Sequence, residues 1–209
     1  MEIVQVATTP EAVSSAVELA GNGVIWAMLF LFAFGIRPLL RTQKWESERR
    51  ALYGYYTALM YAGVGAAFLG GFLQVLVKAG DLATLKTLAF SQALPLYTGT
   101  AAGVATLWRM AAVAAVFAVF MFAKKKIFSS ASFTRWEGTL MALMCVFAYF
   151  RASISHATAN PFHPHFSIGV NFLHLVEKDV WAGILLALVV LALSVRMRGF
   201  LAALMPRAF

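Results

Sequence analysis

Long apolar blocks punctuated by short basic runs constrain this chain more than any other feature. One block contains GVIWAMLFLFAFGI and stops at Arg37, Pro38 and Arg41. Coiled as α-helix, about 20 such residues match the roughly 30 Å hydrocarbon core of a bilayer. In lipid the backbone must satisfy its own hydrogen bonds, so blocks of this kind fold as helices. Of 209 residues, 61% are hydrophobic and only 12% charged. A soluble domain carries roughly 25% charged residues, so a watery surface is out of reach here.

Spans are expected at roughly 13–40, 52–77, 98–123, 136–153 and 168–195. The second holds Gly63, Gly65, Gly70 and Gly71, small residues that let neighbouring helices approach closely. The segment AGDLATLKTLAFSQALPL that follows is too short and too polar to span. With Asp81 as a cap and Leu82, Leu85 and Leu88 at helical spacing, it reads as an interfacial helix over 81–93 or as a plain loop. The expected fold is an all-α integral membrane protein, a single domain over 1–209 with about five transmembrane helices.

Lysine and arginine alternate by loop. The runs at 41–51 and 124–135 and the tail with Arg196 and Arg198 are basic. The N-terminal segment and the stretch after Arg151 are not. The positive-inside rule then puts the N-terminus outside and the C-terminus in the cytoplasm, as an odd number of spans also requires. The first residues lack the basic start of a cleaved signal peptide. The net charge of +8 sits in these runs rather than on a soluble face, which excludes nucleic acid as a partner. Lipid is the expected surroundings. The single cysteine, Cys145, excludes an intramolecular disulfide.

All four histidines fall in SHATANPFHPHFSIGVNFLHL: His156, His163, His165 and His174. On this topology they face outside, between the fourth and fifth spans. Neutral imidazole is a common ligand of copper and zinc. His163 and His165 flank the stiff Pro164. His156 and His174 end and begin neighbouring helices. Polar filler at the interface is the plain alternative. Met141 and Cys145, four residues apart on one helical face, are soft donors of the kind that suits Cu(I), or simply packing.

Charges also occur where lipid is expected. Glu177, Lys178 and Asp179 lie about two turns into the fifth span, and such groups usually face the bundle or a wet cavity. At 100° per residue His174, Glu177, Lys178 and Trp181 share one face, and Asp179 points away. Arg109, at matching depth in the third span, is expected to pair with Glu177 or Asp179. Glu18, Asn22 and Trp26 form a second stripe on the first span.

The segment LHLVEKDVWAGILL has a histidine seven residues before a tryptophan, then a small residue and glycine: His174, Trp181 and Gly183. Together with ISHATA around His156 and LYTGTAAGVATLWRMAAV around Arg109, it resembles the copper-resistance protein D (CopD) family over roughly 50–195. The chain departs from that pattern at Ser155, where the family has glycine, and at 177–179, where it has small apolar residues. The resemblance implies copper handling at the bacterial inner membrane, with ions received from a periplasmic copper-binding partner. No nucleotide-binding loop is present, so ATP drives no step within this chain. Two other functions fit the residues. Histidines on two helices can hold haem b, and the H-x6-W spacing also resembles HemJ-type proteins, which act on porphyrinogens. A small, glycine-rich bundle also fits an accessory subunit of a larger membrane complex. The copper-handling and subunit readings involve no catalysis, whereas the HemJ-like reading would make the chain a redox protein or enzyme.

Overall fold

The computed structural model describes residues 9–41, 45–130, 132–155, 163–193, 199–200 and 202–204, and no strand occurs among them. A continuous rod, Thr9–Leu40, comprises α1 (Thr9–Phe30), a π-helical turn (Leu31–Ile36) and α2 (Arg37–Leu40). It is followed by α3 (Glu46–Lys86), α4 (Phe90–Thr98), α5 (Ala101–Ser129), α6 (Arg135–Ala152) and α7 (Pro164–Leu193). Among the described residues, three rods are long and apolar enough to cross a membrane: Thr9–Leu40, Glu48–Lys86 and Ala101–Ser129. α6 and α7 each carry three charged residues: Arg135, Glu137 and Arg151 on the first, Glu177, Lys178 and Asp179 on the second.

The helix ends follow local chemistry. Thr100 caps α5 by accepting the Gly103 N–H at 3.0 Å. Thr134 and Glu137 form a reciprocal capping box at the start of α6, which satisfies two donors that a helix start otherwise leaves orphaned. α3 runs past the expected end of the second span and stops where Thr87 turns left-handed, with φ 51°. Its N–H then bonds back to the carbonyls of Ala83 and Thr84. The interfacial helix expected over 81–93 is therefore divided: its first half continues α3 and its second half begins α4. Residues 81–86 hold no helix breaker, so the helix propagates through them.

α1 packs against α3 on one side and α7 on the other, α5 packs against α3 and α6, and α6 touches α7. Glycine permits the two closest approaches. A methyl on Gly21 would overlap backbone atoms of Gly63 and Ala67, and one on Gly183 would overlap the carbonyl of Gly23. Small residues of this kind let helix backbones approach to close van der Waals contact. Between the polar ends the core is apolar, with Trp26, Phe32, Tyr56, Met60, Phe120 and Phe147 all fully buried.

Candidate functional site

Two layers of buried polar side chains bracket this apolar core. The first gathers around Glu18 on α1. Its Oε2 accepts from Arg109 of α5 at 3.0 Å and from the Gln74 amide of α3 at 2.8 Å. Arg151 of α6 lies 3.8 Å from the same oxygen. Arg109 donates further to Gln74 Oε1 at 3.1 Å and to Thr106 Oγ1 at 2.9 Å, and it lies over the Phe147 ring at 5.9 Å. One turn along α1, the Asn22 amide donates to Asp179 of α7. All five long helices thus contribute. Glu18, Asn22, Arg109 and Asp179 are each at most 3% exposed.

A buried charge is tolerated only when paired and hydrogen-bonded. Here the pairing is incomplete. Glu18 Oε1, Asn22 Oδ1, Arg109 Nε and Arg151 Nη1 are buried without a hydrogen-bond partner among the described residues. Two carboxylates and two guanidiniums therefore meet in one place with acceptor and donor capacity in hand. Space is made on α3, where a methyl on Gly70 would overlap the backbone of Glu18.

The second layer centres on Arg37 at the start of α2. It meets Glu137 of α6 at 2.5 Å, with the two side chains 4% and 1% exposed. Arg37 also donates to the Ile127 carbonyl at 3.5 Å and stacks on Phe32 at 4.9 Å. Glu137 is held by its own cap: its Oε2 accepts the Thr134 N–H at 2.8 Å and hydroxyl at 2.9 Å. Nearby, Lys124 donates to the Tyr61 hydroxyl. From Glu18 to Arg37 is nineteen residues, about 28 Å of helix at 1.5 Å per residue. From Arg109 to Ile127 is eighteen residues, about 27 Å. The two layers agree on one spacing along two different helices.

Among the sequence candidates, Glu18 and Arg109 come together, whereas Arg109 meets neither Glu177 nor Asp179. Matching depth does not make two helices neighbours: α5 packs on α3 and α6, and α7 packs on α1 and α6. His174, Glu177, Lys178 and Trp181 do share a face, as the helical angle requires, but that face is exposed. Asp179, on the opposite face, is the one that enters the bundle. Close packing explains the choice, because Asp179 lies one turn from Gly183, on the side that meets Gly23. Asn22, Gln74, Thr106, Arg151 and the Arg37–Glu137 pair were not singled out from sequence as partners. The Thr134-x-x-Glu137 spacing is a readable capping signal, and it would have located Glu137.

His163, His165 and His174 are exposed; His156 lies outside the described residues. His165 and His174 are nine residues apart on α7, about 13 Å of rise. No three His, Cys, Asp or Glu side chains converge as a metal-binding set among the described residues. Cys145 is exposed and Met141 half-buried. Cys145 and His165 line one groove of about 560 Å³ between α6 and α7, walled by Tyr149, Phe150, Ile168 and Phe172. Comparison with family models, with curated proteins and with solved structures found no match.

Proposed function

We propose that this chain is a five-span copper-handling protein of the bacterial inner membrane. It takes the ion at its histidine-bearing outer end from a periplasmic copper-binding partner and holds it or passes it between the helices. The membrane placement rests on the polar layers. They lie about 27–28 Å apart, close to the roughly 30 Å of a hydrocarbon core; α6 reaches both, through Arg151 and Glu137, and α7 enters the first through Asp179. Arg41, Arg49, Lys124, Lys125, Lys126 and Arg135 gather toward the Arg37 end. The positive-inside rule puts that end in the cytoplasm, so the histidines of α7 meet the periplasm.

One observation carries the copper reading: Cys145 and His165 line the same groove. Cu(I) is soft and accepts small donor sets of sulfur and imidazole, whereas Ca²⁺ and Mg²⁺ want oxygen. Copper is cargo in this scheme, captured by exposed imidazoles and received by a thiol further along the groove. Haem b is less well served, because His163, His165 and His174 are all exposed.

The test is copper content by mass spectrometry, with an absorption spectrum on the same sample, for protein purified in mild detergent and loaded with Cu(I) under reducing conditions. Stoichiometric copper that is lost in Cys145→Ser with His165→Ala is the expected result; His156→Ala with His174→Ala tests the capture ligands. A Soret band would move the case to haem. Neither metal nor pigment would overturn both.

A second reading has its own support. The outward face of α7 presents Leu173 and Trp181, 65% and 61% exposed, beside the charged Glu177 and Lys178. Such a face suits a subunit of a larger membrane complex. A native gel of membranes extracted in mild detergent separates the readings, since a subunit migrates with its partners.

A further inference from the structure

At the Arg37 end lies a small, half-open basic cavity of about 200 Å³ that takes no part in the copper scheme. Three arginines from two chain segments line it: Arg37 and Arg41 at the end of the first rod, and Arg49 in the first turn of α3. Ser129 and Ser130, at the C-terminal end of α5, complete its polar wall. Glu137 meets Arg37 at Nη2. Arg37 is only 4% exposed, and its Nε is buried without a hydrogen-bond partner. A buried donor of this kind is costly unless an acceptor reaches it.

We propose that this cavity binds the phosphate of an anionic phospholipid headgroup. Guanidinium forks match phosphate oxygens bidentately; the Ser129 and Ser130 hydroxyls already donate to the Lys126 and Ser132 carbonyls, so the arginines supply the donors. The remaining wall is apolar, made by Leu40 and Phe128. That mixture suits a phosphate attached to a glycerol backbone more than a free ion. A volume of about 200 Å³ admits the headgroup phosphate and leaves the acyl chains outside, along the bundle. The cavity lies at the level of the second polar layer, about 28 Å along the helix from Glu18, which is where headgroups begin. Basic pockets between helices on the cytoplasmic side bind lipid headgroups of this class. The lipid would tie the first rod, α3 and α5 together at their basic ends.

The full-length chain, delipidated in mild detergent, is titrated with phosphatidylglycerol, with phosphatidylcholine and, separately, with inorganic phosphate. Native mass spectrometry and the thermal melt are the readouts. Arg41→Gln with Arg49→Gln removes two forks and leaves Arg37 to hold Glu137. The expected result is retained phosphatidylglycerol that stabilises the wild type, binds at least about tenfold more weakly to the double variant, and is unaffected in Lys86→Gln at the other end. Arg49→Lys keeps the charge but loses the fork, so it should weaken binding by less than the double variant. Inorganic phosphate that competes with the lipid as an equal would assign the site to the free anion and overturn the lipid source. Equal retention of phosphatidylglycerol by wild type and double variant, or no preference over phosphatidylcholine, would overturn the site itself.

Discussion

Arg37 is answered by one carboxylate, Glu137; at the Arg109 end seven side chains from five helices share the task. The Arg37–Glu137 pair is short and local. Its carboxylate is already fixed by the Thr134 cap, and its guanidinium also meets a carbonyl and an aromatic ring. The Glu18 layer is distributed. Glu18 faces two arginines and Gln74, while Asp179 has the Asn22 amide as its partner. A compact pair with each partner held in place behaves as a rivet. The distributed network leaves Glu18 Oε1, Asn22 Oδ1, Arg109 Nε and Arg151 Nη1 without a hydrogen-bond partner among the described residues, against Arg37 Nε alone in the pair.

The largest effect is expected from breaking the rivet. Glu137→Ala leaves Arg37 charged, buried and without its counter-ion, a loss of roughly 3–5 kcal/mol for pairs of this kind, and it removes a cap worth about 1 kcal/mol. A sharply lower melting temperature and folded yield in detergent are the outcomes to measure. Thr134→Ala, which spares the pair, should cost only the cap, about 1 kcal/mol. If the two variants melt alike, the pair contributes nothing and the contrast between the ends fails.

Arg109→Leu tests the distributed layer. Glu18 loses its 3.0 Å partner but keeps Gln74 at 2.8 Å and Arg151 at 3.8 Å. The loss should therefore fall below that of Glu137→Ala, at roughly 2–3 kcal/mol against the 3–5 kcal/mol of an unanswered buried charge. Pairing it with Glu18→Leu should recover much of the loss, because removing both charges is often close to neutral. A double variant that melts lower than the single would show that Glu18 is supported mainly by the other members of the layer.

The two ends also differ in how far they could be read from sequence. The apolar blocks announced long helices because lipid-length runs have few other uses. Glu18, Asn22 and Trp26 stood out as a stripe because a period near four marks one helix face, and Arg109 stood out as a charge amid alanine and valine. Partner identity was not legible. Depth is one coordinate, and several helices offer a group at the same depth; lateral order, set by Gly21, Gly23, Gly63 and Gly183, selects among them. The same glycines explain α7. Helical angle separates Asp179 from Glu177 and Lys178, but angle alone does not say which side turns inward. Gly183, on the Asp179 side, does. The Arg37 pair escaped notice because Arg37 reads as the basic stop of a span, which is normally solvated.

The smallest effect is expected at Asp179, where replacement keeps shape and removes charge. Asp179→Asn preserves a carbonyl oxygen that can accept from the Asn22 amide, and its new NH₂ can donate to the Asn22 oxygen, which is buried without a partner in the wild type. A neutral hydrogen bond then replaces a charge-assisted one, but the carboxylate's own buried charge is removed. The two terms oppose each other, and the net change should lie within about 1 kcal/mol in either direction. Glu18→Gln, by contrast, strips the counter-ion from Arg109, so it should be the more damaging of the two amide substitutions despite equal conservatism. The comparison is a pair of detergent melts on otherwise identical chains. Equal losses would mean that Asp179 is held by a cation as firmly as Glu18 is, and that the layer is one ionic unit. A near-silent Asp179→Asn with a damaging Glu18→Gln would place the structural load on Glu18 and Arg109.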